Sequence, residues 1–561
     1  MNKRLLAATS ALVAMPCVTP VWAQGVPVPG AAQPGGAERE FRLPPAPRVT
    51  PAPLEIPRPS HLAPAGADSF RFQLERIELV GNSVYAADAL LAPHRARLGQ
   101  EVTLADLYAI ADRITTTYRN NGYILSQAIV PAQQIQSGVA RIQIIEGFVN
   151  EVRLTGDIKG NRSLVESYAA NIKANRPLTA QVLERHLLLL NDLAGATARA
   201  VLTPAESVVG AADLVIEFAH RTASGSVSID NRGGRVLGPW RGYVDLDLHS
   251  LFGRYDKTVV RAVTTFDRRM NYGSIQHEQP VGESGGRAGI MMGYSKAEPR
   301  LGEAFGSASL ETLSTSGALS YTHPIKRGRS ANVYARASLG FHDGETSFIG
   351  VPLKEDKLRM VRIGATVDAA DALRGVNIVD LEVSRGLDVF GATETGSANL
   401  SREQGRSDFT KVTLYAARLQ SIAAGWSILA AINGQHAAQS QLASEMFGFG
   451  GAQFGRGYDP SELIGDSGVA GKLELRYTNT LPSTPSMTYT AYAFWDAGKV
   501  WRRNPVNEEP TESGTSFGVG LKLDVARNIT GFGELAKPAT RNVRAEGDRD
   551  ARGYVGLAYR F

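Results

Sequence analysis

The chain has almost no cysteine. Its 561 residues hold one, Cys17, close to the N-terminus. Once a leader containing Cys17 is removed, no thiol remains. That excludes disulfides, thiolate metal sites and cysteine nucleophiles together, and it suits passage through an oxidising compartment. Beyond the N-terminus there is no run of about 18 apolar residues, so no transmembrane helix is expected. A membrane barrel stays open as a reading, because its strands are apolar on one face only. No dense Lys/Arg run occurs, and a net charge of +5 is small for this length, so no nucleic-acid partner is implied. The nine histidines are scattered, without H-E-x-x-H or other close pairing, and no phosphate-binding P-loop is present. No metal, nucleotide or other cofactor is therefore expected. Two serine patterns invite a hydrolase reading: Gly282-Glu283-Ser284-Gly285-Gly286, and Gly465-Asp466-Ser467-Gly468, which is similar to a serine-protease site. Such chemistry needs a His base and a carboxylate behind it on a rigid frame. No helix is predicted after either serine and both read as hairpin turns, so the chain is not expected to be an enzyme.

What the chain has is glycine, 58 residues of it, and aromatics spread through its second half. Residues 1–23 read as a secretory signal: Lys3 and Arg4, an apolar stretch from Leu5 to Val18, and Val21-Trp22-Ala23 as a cleavage site. Pro16 before Cys17 makes a poor lipoprotein signal. Residues 24–69, rich in Pro, Ala and Gly, read as an extended linker, with Ala31 to Arg42 the one candidate helix.

Residues 70–148 read as a small α/β unit. Ile77 to Val80 is strand-like. Thr103 caps a helix with Leu107, Ile110, Ala111, Ile114 and Tyr118 on one face. Gly122-Tyr123 stops it before a strand through Pro131, and Val139 to Ile145 alternates. Residues 149–220 repeat the order, with helices over Leu164–Ile172 and after Thr179. A repeated small unit favours a binding scaffold. Residues 221–561 change character: strands recur at roughly twenty-residue spacing with turn signals between them, as in antiparallel hairpins. The last strand places Val555, Leu557, Tyr559 and Phe561 on one face.

The chain is organised around Glu445 to Asp459, too glycine-rich for a helix, with Arg456 between Gly455 and Gly457 and next to Tyr458. Some forty residues on, Phe494-Trp495-Asp496 lies in a strand-like run. Thr488, Thr490, Tyr492, Phe494 and Asp496 share one face. A charge facing lipid costs roughly 2–4 kcal/mol near the midplane, so Asp496 should face a lumen and Trp495 the interfacial girdle. A long glycine-rich loop with a central Arg, followed by a strand with a lone Asp, resembles the in-folded loop of two-partner secretion transporters, the haemolysin secretion/activation family. Asp230-Asn231-Arg232-Gly233, Tyr321-Thr322-His323-Pro324 and Ser384-Arg385-Gly386 follow in that family's order.

The resemblance implies a transmembrane antiparallel β-barrel of about 16 strands, preceded by two α/β POTRA domains, with an in-folded loop around 448–468. It implies that Arg456, Gly457 and Tyr458 form the loop's core and that Arg456 pairs with Asp496 beside Phe494, latching the loop in the pore. Gly455 departs from the family's usual Val. The terminal Tyr559 and Phe561 look like the signal read by barrel-insertion machinery. The implied function is a Gram-negative outer-membrane pore, monomeric in the lipid, with its POTRA domains in the periplasm. They capture a partner exoprotein (adhesin, cytolysin or haem-binding) for export unfolded, with activation of the cargo left open by the resemblance. Tyr118, Tyr123 and Gln133 are candidates for capture, with core packing the weightier reading for the tyrosines. Similar parts would serve a barrel-assembly factor, which usually carries more POTRA domains, or a passive porin or receptor.

Overall fold

A computed structural model describes residues 28–42, 44–49, 63–205, 208–301, 308–506, 508–526 and 528–561. The leader read over residues 1–23, with Cys17, lies outside them. A short helix, α1 (Gly36–Phe41), comes first. The first α/β unit follows, with α2 (Ala87–Leu91) and α3 (Leu104–Asn120) packed on a sheet in which Val139–Ile145 lies between Arg76–Val80 and Gln127–Ile129. Helix α3 starts where the sequence places it. Thr103 Oγ1 accepts from the N–H of Asp106, and the Asp106 carboxylate accepts from the N–H of Thr103, at 3.1 and 2.9 Å, a reciprocal cap that satisfies two otherwise orphaned donors. The second unit packs α4 (Arg162–Ala174) and α5 (Ala180–Asn191) on a sheet ordered Phe148–Gly156, Ala211–His220, Ala196–Pro204. Leu164, Val165, Leu183, Leu190, Leu214 and Ile216 fill its core.

From Ala223 onward sixteen antiparallel strands close into a barrel. The last, Arg552–Arg560, pairs with the first, Ala223–Asp230, from Gly556↔Asp230 to Arg560↔Ser226. Closure leaves no open edge, which is the condition for a sheet to span lipid. No helix among the described residues is long and apolar enough to do so. The barrel is apolar outside and polar inside. Val555, Leu557, Tyr559 and Phe561 stand about half exposed on the outer face, as does Trp495, while Asp356, Asp368 and Asp496 are buried on the inner one.

Two expectations are corrected. Within the segment read as an extended linker, Gly30–Ala32 and α1 sit in the lumen. Intrinsic propensity does not hold them there, since isolated helices of this length are unstable. Small residues do: a Cβ on Gly30 would stand 2.1 Å from the Ser461 carbonyl oxygen, and Gly35, at φ +73°, lies against Ser444. Phe41 then anchors the segment among Tyr243 and Tyr272. The second correction concerns the serine patterns. Gly282–Gly285 is a hairpin turn, but Gly465-Asp466-Ser467 is the return arm of a long loop where it enters the strand Ser467–Leu481.

Candidate functional site

That loop runs from residue 438 to 466, between the strands Trp426–Ala437 and Ser467–Leu481. It turns back into the barrel and is braced by a small hairpin, Phe447–Phe449 against Leu463–Gly465. Its tip carries Arg456, 5% exposed, against the strand Thr484–Trp501 that carries Asp496, 0% exposed. Arg456 Nε donates to Asp496 Oδ2 at 3.0 Å and Nη2 to Oδ1 at 2.9 Å, a two-point fork. The same carboxylate also accepts from the backbone N–H groups of Gly455 and Arg456, at 3.2 and 3.0 Å. Asp496 therefore holds the loop's main chain as well as its cation. The guanidinium lies over the Phe494 ring, 3.5 Å from its centroid.

Gly457 fits because the tip runs flush along the wall: a Cβ there would meet Ser516 Cβ and the Pro538 nitrogen at 2.8 Å. Tyr458 is buried and its hydroxyl donates to the Thr515 carbonyl at 3.0 Å. Gly455, where the resembled family usually has Val, adopts φ +84° with the Phe449 ring 2.7 Å from where its Cβ would be. A β-branched residue does not adopt that backbone conformation without strain, so this chain packs Phe449 into space that a side chain at 455 would need.

The sequence motifs identify only part of the site. Glu474 accepts from Arg456 Nη1 at 2.7 Å, and Glu534 lies 3.7 Å from the same nitrogen. Glu474 also accepts from Arg476 at 2.5 Å, and Glu534 from Arg232 and the Tyr492 hydroxyl at 2.9 Å. Three cations (Arg232, Arg456, Arg476) thus face three carboxylates (Glu474, Asp496, Glu534), with Lys472 beside them as the ladder partner of Asp496. Strand parity was the available signal: Lys472, Glu474 and Arg476 alternate with Leu473 and Leu475, whose apolar pair faces out.

A second anchor has no counterpart in the motifs. Glu445, on the loop's outgoing arm, pairs with Arg362 at 2.6 Å and Lys411 at 2.7 Å on the wall strands Val351–Ala370 and Thr410–Ala423. Its polarity is reversed: at the tip a loop cation meets wall carboxylates, and here a loop carboxylate meets wall cations. Arg39 of α1 donates to the Ala443 carbonyl at 2.7 Å, and Glu40 pairs with Arg241 on the wall. Loop and helix thus fill the lumen together. At the loop's return, Asp466, fully buried, pairs with Arg402 and accepts from the N–H groups of Gln441 and Arg503. Ser467 Oγ accepts from the Ala437 N–H at 3.0 Å.

Of the capture candidates, Tyr118 is 0% exposed and cannot meet a partner. Its hydroxyl donates to Glu146 at 2.7 Å, and burial together with that carboxylate pushes the phenol well above its ordinary range. Burial works to raise Glu146 too, but hydrogen bonds from Ser83, Val84 and Tyr118 prevail and hold it low. Tyr123 is half-buried against Tyr85 and Tyr118. Gln133, also half-buried, exchanges two hydrogen bonds with the backbone of Arg141, at 2.7 and 2.8 Å, as a strand-edge cap. These three do not converge on a common surface. Tyr559 and Phe561 face outward, their rings stacked 6.3 Å apart.

Comparison with known proteins agrees with this architecture. Residues 210–523 match the family described as haemolysin secretion/activation protein ShlB/FhaC/HecB, and residues 72–147 match the POTRA domain, ShlB-type. The chain is 23% identical over 484 residues to the heme/hemopexin transporter protein HuxB of Haemophilus influenzae, covering 84% of this chain and 85% of that one. It is 22% identical to the outer membrane transporter CdiB of Dickeya dadantii, over 74% and 73% of the two chains. Among solved structures it resembles CdiB from Escherichia coli, with a TM-score of 0.72 and 20% identity over 92% of this chain and 94% of that one.

Proposed function

We infer the function from one established point: the chain belongs to the haemolysin secretion/activation family ShlB/FhaC/HecB. It is an outer-membrane transporter of the two-partner secretion type, a barrel pore with its POTRA domains in the periplasm. Its cargo is a secreted partner exoprotein. The partner arrives unfolded and is captured by strand addition at the sheet edges of the POTRA domains. In the second unit both outer strands, Phe148–Gly156 and Ala196–Pro204, have a neighbour on one side only among the described residues. The loop carrying Arg456 then shifts and the chain threads outward, with folding outside giving direction. The cargo is an adhesin, a cytolysin or a haem-binding protein. The barrel works as a monomer in outer-membrane lipid, and insertion machinery reads its terminal Tyr559 and Phe561.

The observation that carries this reading is the buried Arg456–Asp496 fork, which holds a long loop across an otherwise polar lumen. A desolvated pair of this kind fixes position more surely than it adds stability, as a movable stop requires. The test is secretion of a candidate exoprotein encoded beside this chain, in cells with and without this protein, with Arg456→Ala and Asp496→Ala in parallel and barrel folding followed by heat-modifiability. Loss of secretion with an intact barrel is expected. Normal secretion without the protein overturns the pairing, and a general loss of other barrels indicates an assembly factor instead.

A further inference from the structure

The second POTRA domain is seated on the barrel through the C-terminal end of α5. Asp192 caps that helix, and its carboxylate receives a two-point fork from Arg327, Nε to Oδ2 at 2.8 Å and Nη2 to Oδ1 at 3.0 Å. Its carbonyl accepts from Arg287. Two cations at a helix C-terminus also suit the helix dipole. Two turns back, Arg185 donates to the carbonyls of Ser284 and Pro324, at 3.2 and 3.4 Å. The Gly282–Gly286 turn therefore serves as part of this seat.

The contacts continue inward. Arg327 Nη1 donates to Asn332 Oδ1 at 2.9 Å, and Asn332 Nδ2 donates to Asp368 Oδ2 at 2.9 Å. That oxygen also accepts from the backbone N–H of Arg48, at 3.0 Å. Arg48 follows the lumen helix α1 by a few residues, and its guanidinium lies over Tyr334, 4.7 Å from the ring centroid. Arg327, Asn332 and Asp368 are 7%, 0% and 1% exposed. The amide at 332 joins these neighbours because it offers an acceptor and a donor side by side. Its oxygen accepts from the Arg327 side chain and the Gly328 N–H while its nitrogen donates to a carboxylate.

We propose that Asp192, Arg327, Asn332 and Asp368 form a relay through which the seated second POTRA domain holds the N-terminal segment, and with it α1, inside the lumen. Displacement of that domain by an arriving partner breaks the fork at Asp192 and frees Arg327 to turn. The amide of Asn332 then loses its orientation, and Asp368 releases the backbone at Arg48. The segment that leaves the lumen is the bistable element such coupling needs. The proposal rests on the secretion reading only for what displaces the domain.

The test needs no partner protein. Full-length protein carrying Ala37→Cys on a Cys17→Ser background is reconstituted in liposomes, and the rate of maleimide labelling reports exposure of α1. Position 37 is buried while the helix is seated. Asp192→Asn removes the outer charge at a partly exposed position. Asn332→Asp keeps the volume but sets a carboxylate against Asp368. Each is expected to raise labelling at least about threefold, and the double variant no further than the stronger single, because linked positions do not add. Heat-modifiability should be unchanged throughout. Wild-type labelling in either variant, or additive effects in the double, overturns the relay. Failure to secrete any partner, with the labelling pattern intact, counts against the secretion reading alone.

Discussion

Asp496 carries more of the loop than a salt bridge would. It accepts four hydrogen bonds, two from the Arg456 side chain and two from backbone N–H groups. Removing it leaves two buried amides without a partner and the buried guanidinium with Glu474 alone in hydrogen-bond reach. Loss of one member of a buried pair costs about 3–5 kcal/mol. Asp496→Ala should therefore free the loop more completely than Arg456→Ala, which leaves the carboxylate its two backbone donors. Limited proteolysis of the 438–466 loop in folded protein measures this: the expected order of cleavage rate is Asp496→Ala, then Arg456→Ala, then wild type. Arg456→Lys should behave like Arg456→Ala, because an ammonium cannot reproduce the fork. At the second anchor, Glu445→Gln keeps the shape but leaves Lys411 and Arg362 without the charge between them. A cost of about 1–3 kcal/mol is expected, read as faster cleavage in the loop's outgoing arm near Ala443 with the tip still protected.

The elements divide by how much of their stabilisation is local. Helix α3 was legible because its cap, apolar stripe and glycine stop all lie within its own sequence. The inner and outer faces of the strand with Asp496 were legible for the same reason: parity is a local property and lipid penalises a misplaced charge. Helix α1 was not. Its six residues have no side-chain cap, and it is held by Ser444, Ala443, Tyr243 and Arg241, which lie hundreds of residues away. Glu445 was missed for a similar reason, since a lone acid in a glycine-rich loop gives no hint of Arg362 and Lys411. In the second POTRA domain, His186 on α5 is half-buried against Tyr168, and among the described residues its Nδ1 has no hydrogen-bond partner. Burial, with a smaller contribution from Arg185, pulls its pKa down to about 4 from the ordinary 6.5. The folded domain therefore binds fewer protons than the unfolded chain between those values, and stability is lost as pH falls from 6.5 towards 4. Hydrogen exchange across α4 and α5, corrected for intrinsic rates, should show weaker protection at pH 5 than at pH 7. His186→Gln should remove that part of the pH response.

At the scale of the whole molecule, the barrel is a rigid frame whose lumen holds two separable inserts, α1 and the long loop. Deleting residues 28–42 should raise single-channel conductance in planar bilayers while heat-modifiability stays normal, because no barrel strand pairs with that segment. The loop differs, being tied to the wall at two places by charges of opposite sign. A latch that works in transport must hold and also let go. The most direct test tethers it. A Cβ on Gly498 would stand 2.6 Å from Phe449 Cγ, so Phe449→Cys with Gly498→Cys places two sulfurs within reach of a disulfide between loop and wall. Cys17→Ser removes the one native thiol of the sequence. Secretion of the partner exoprotein should stop when the pair is oxidised and resume on reduction, in barrels that fold equally well. Equal secretion with the loop tethered and free would contradict the account.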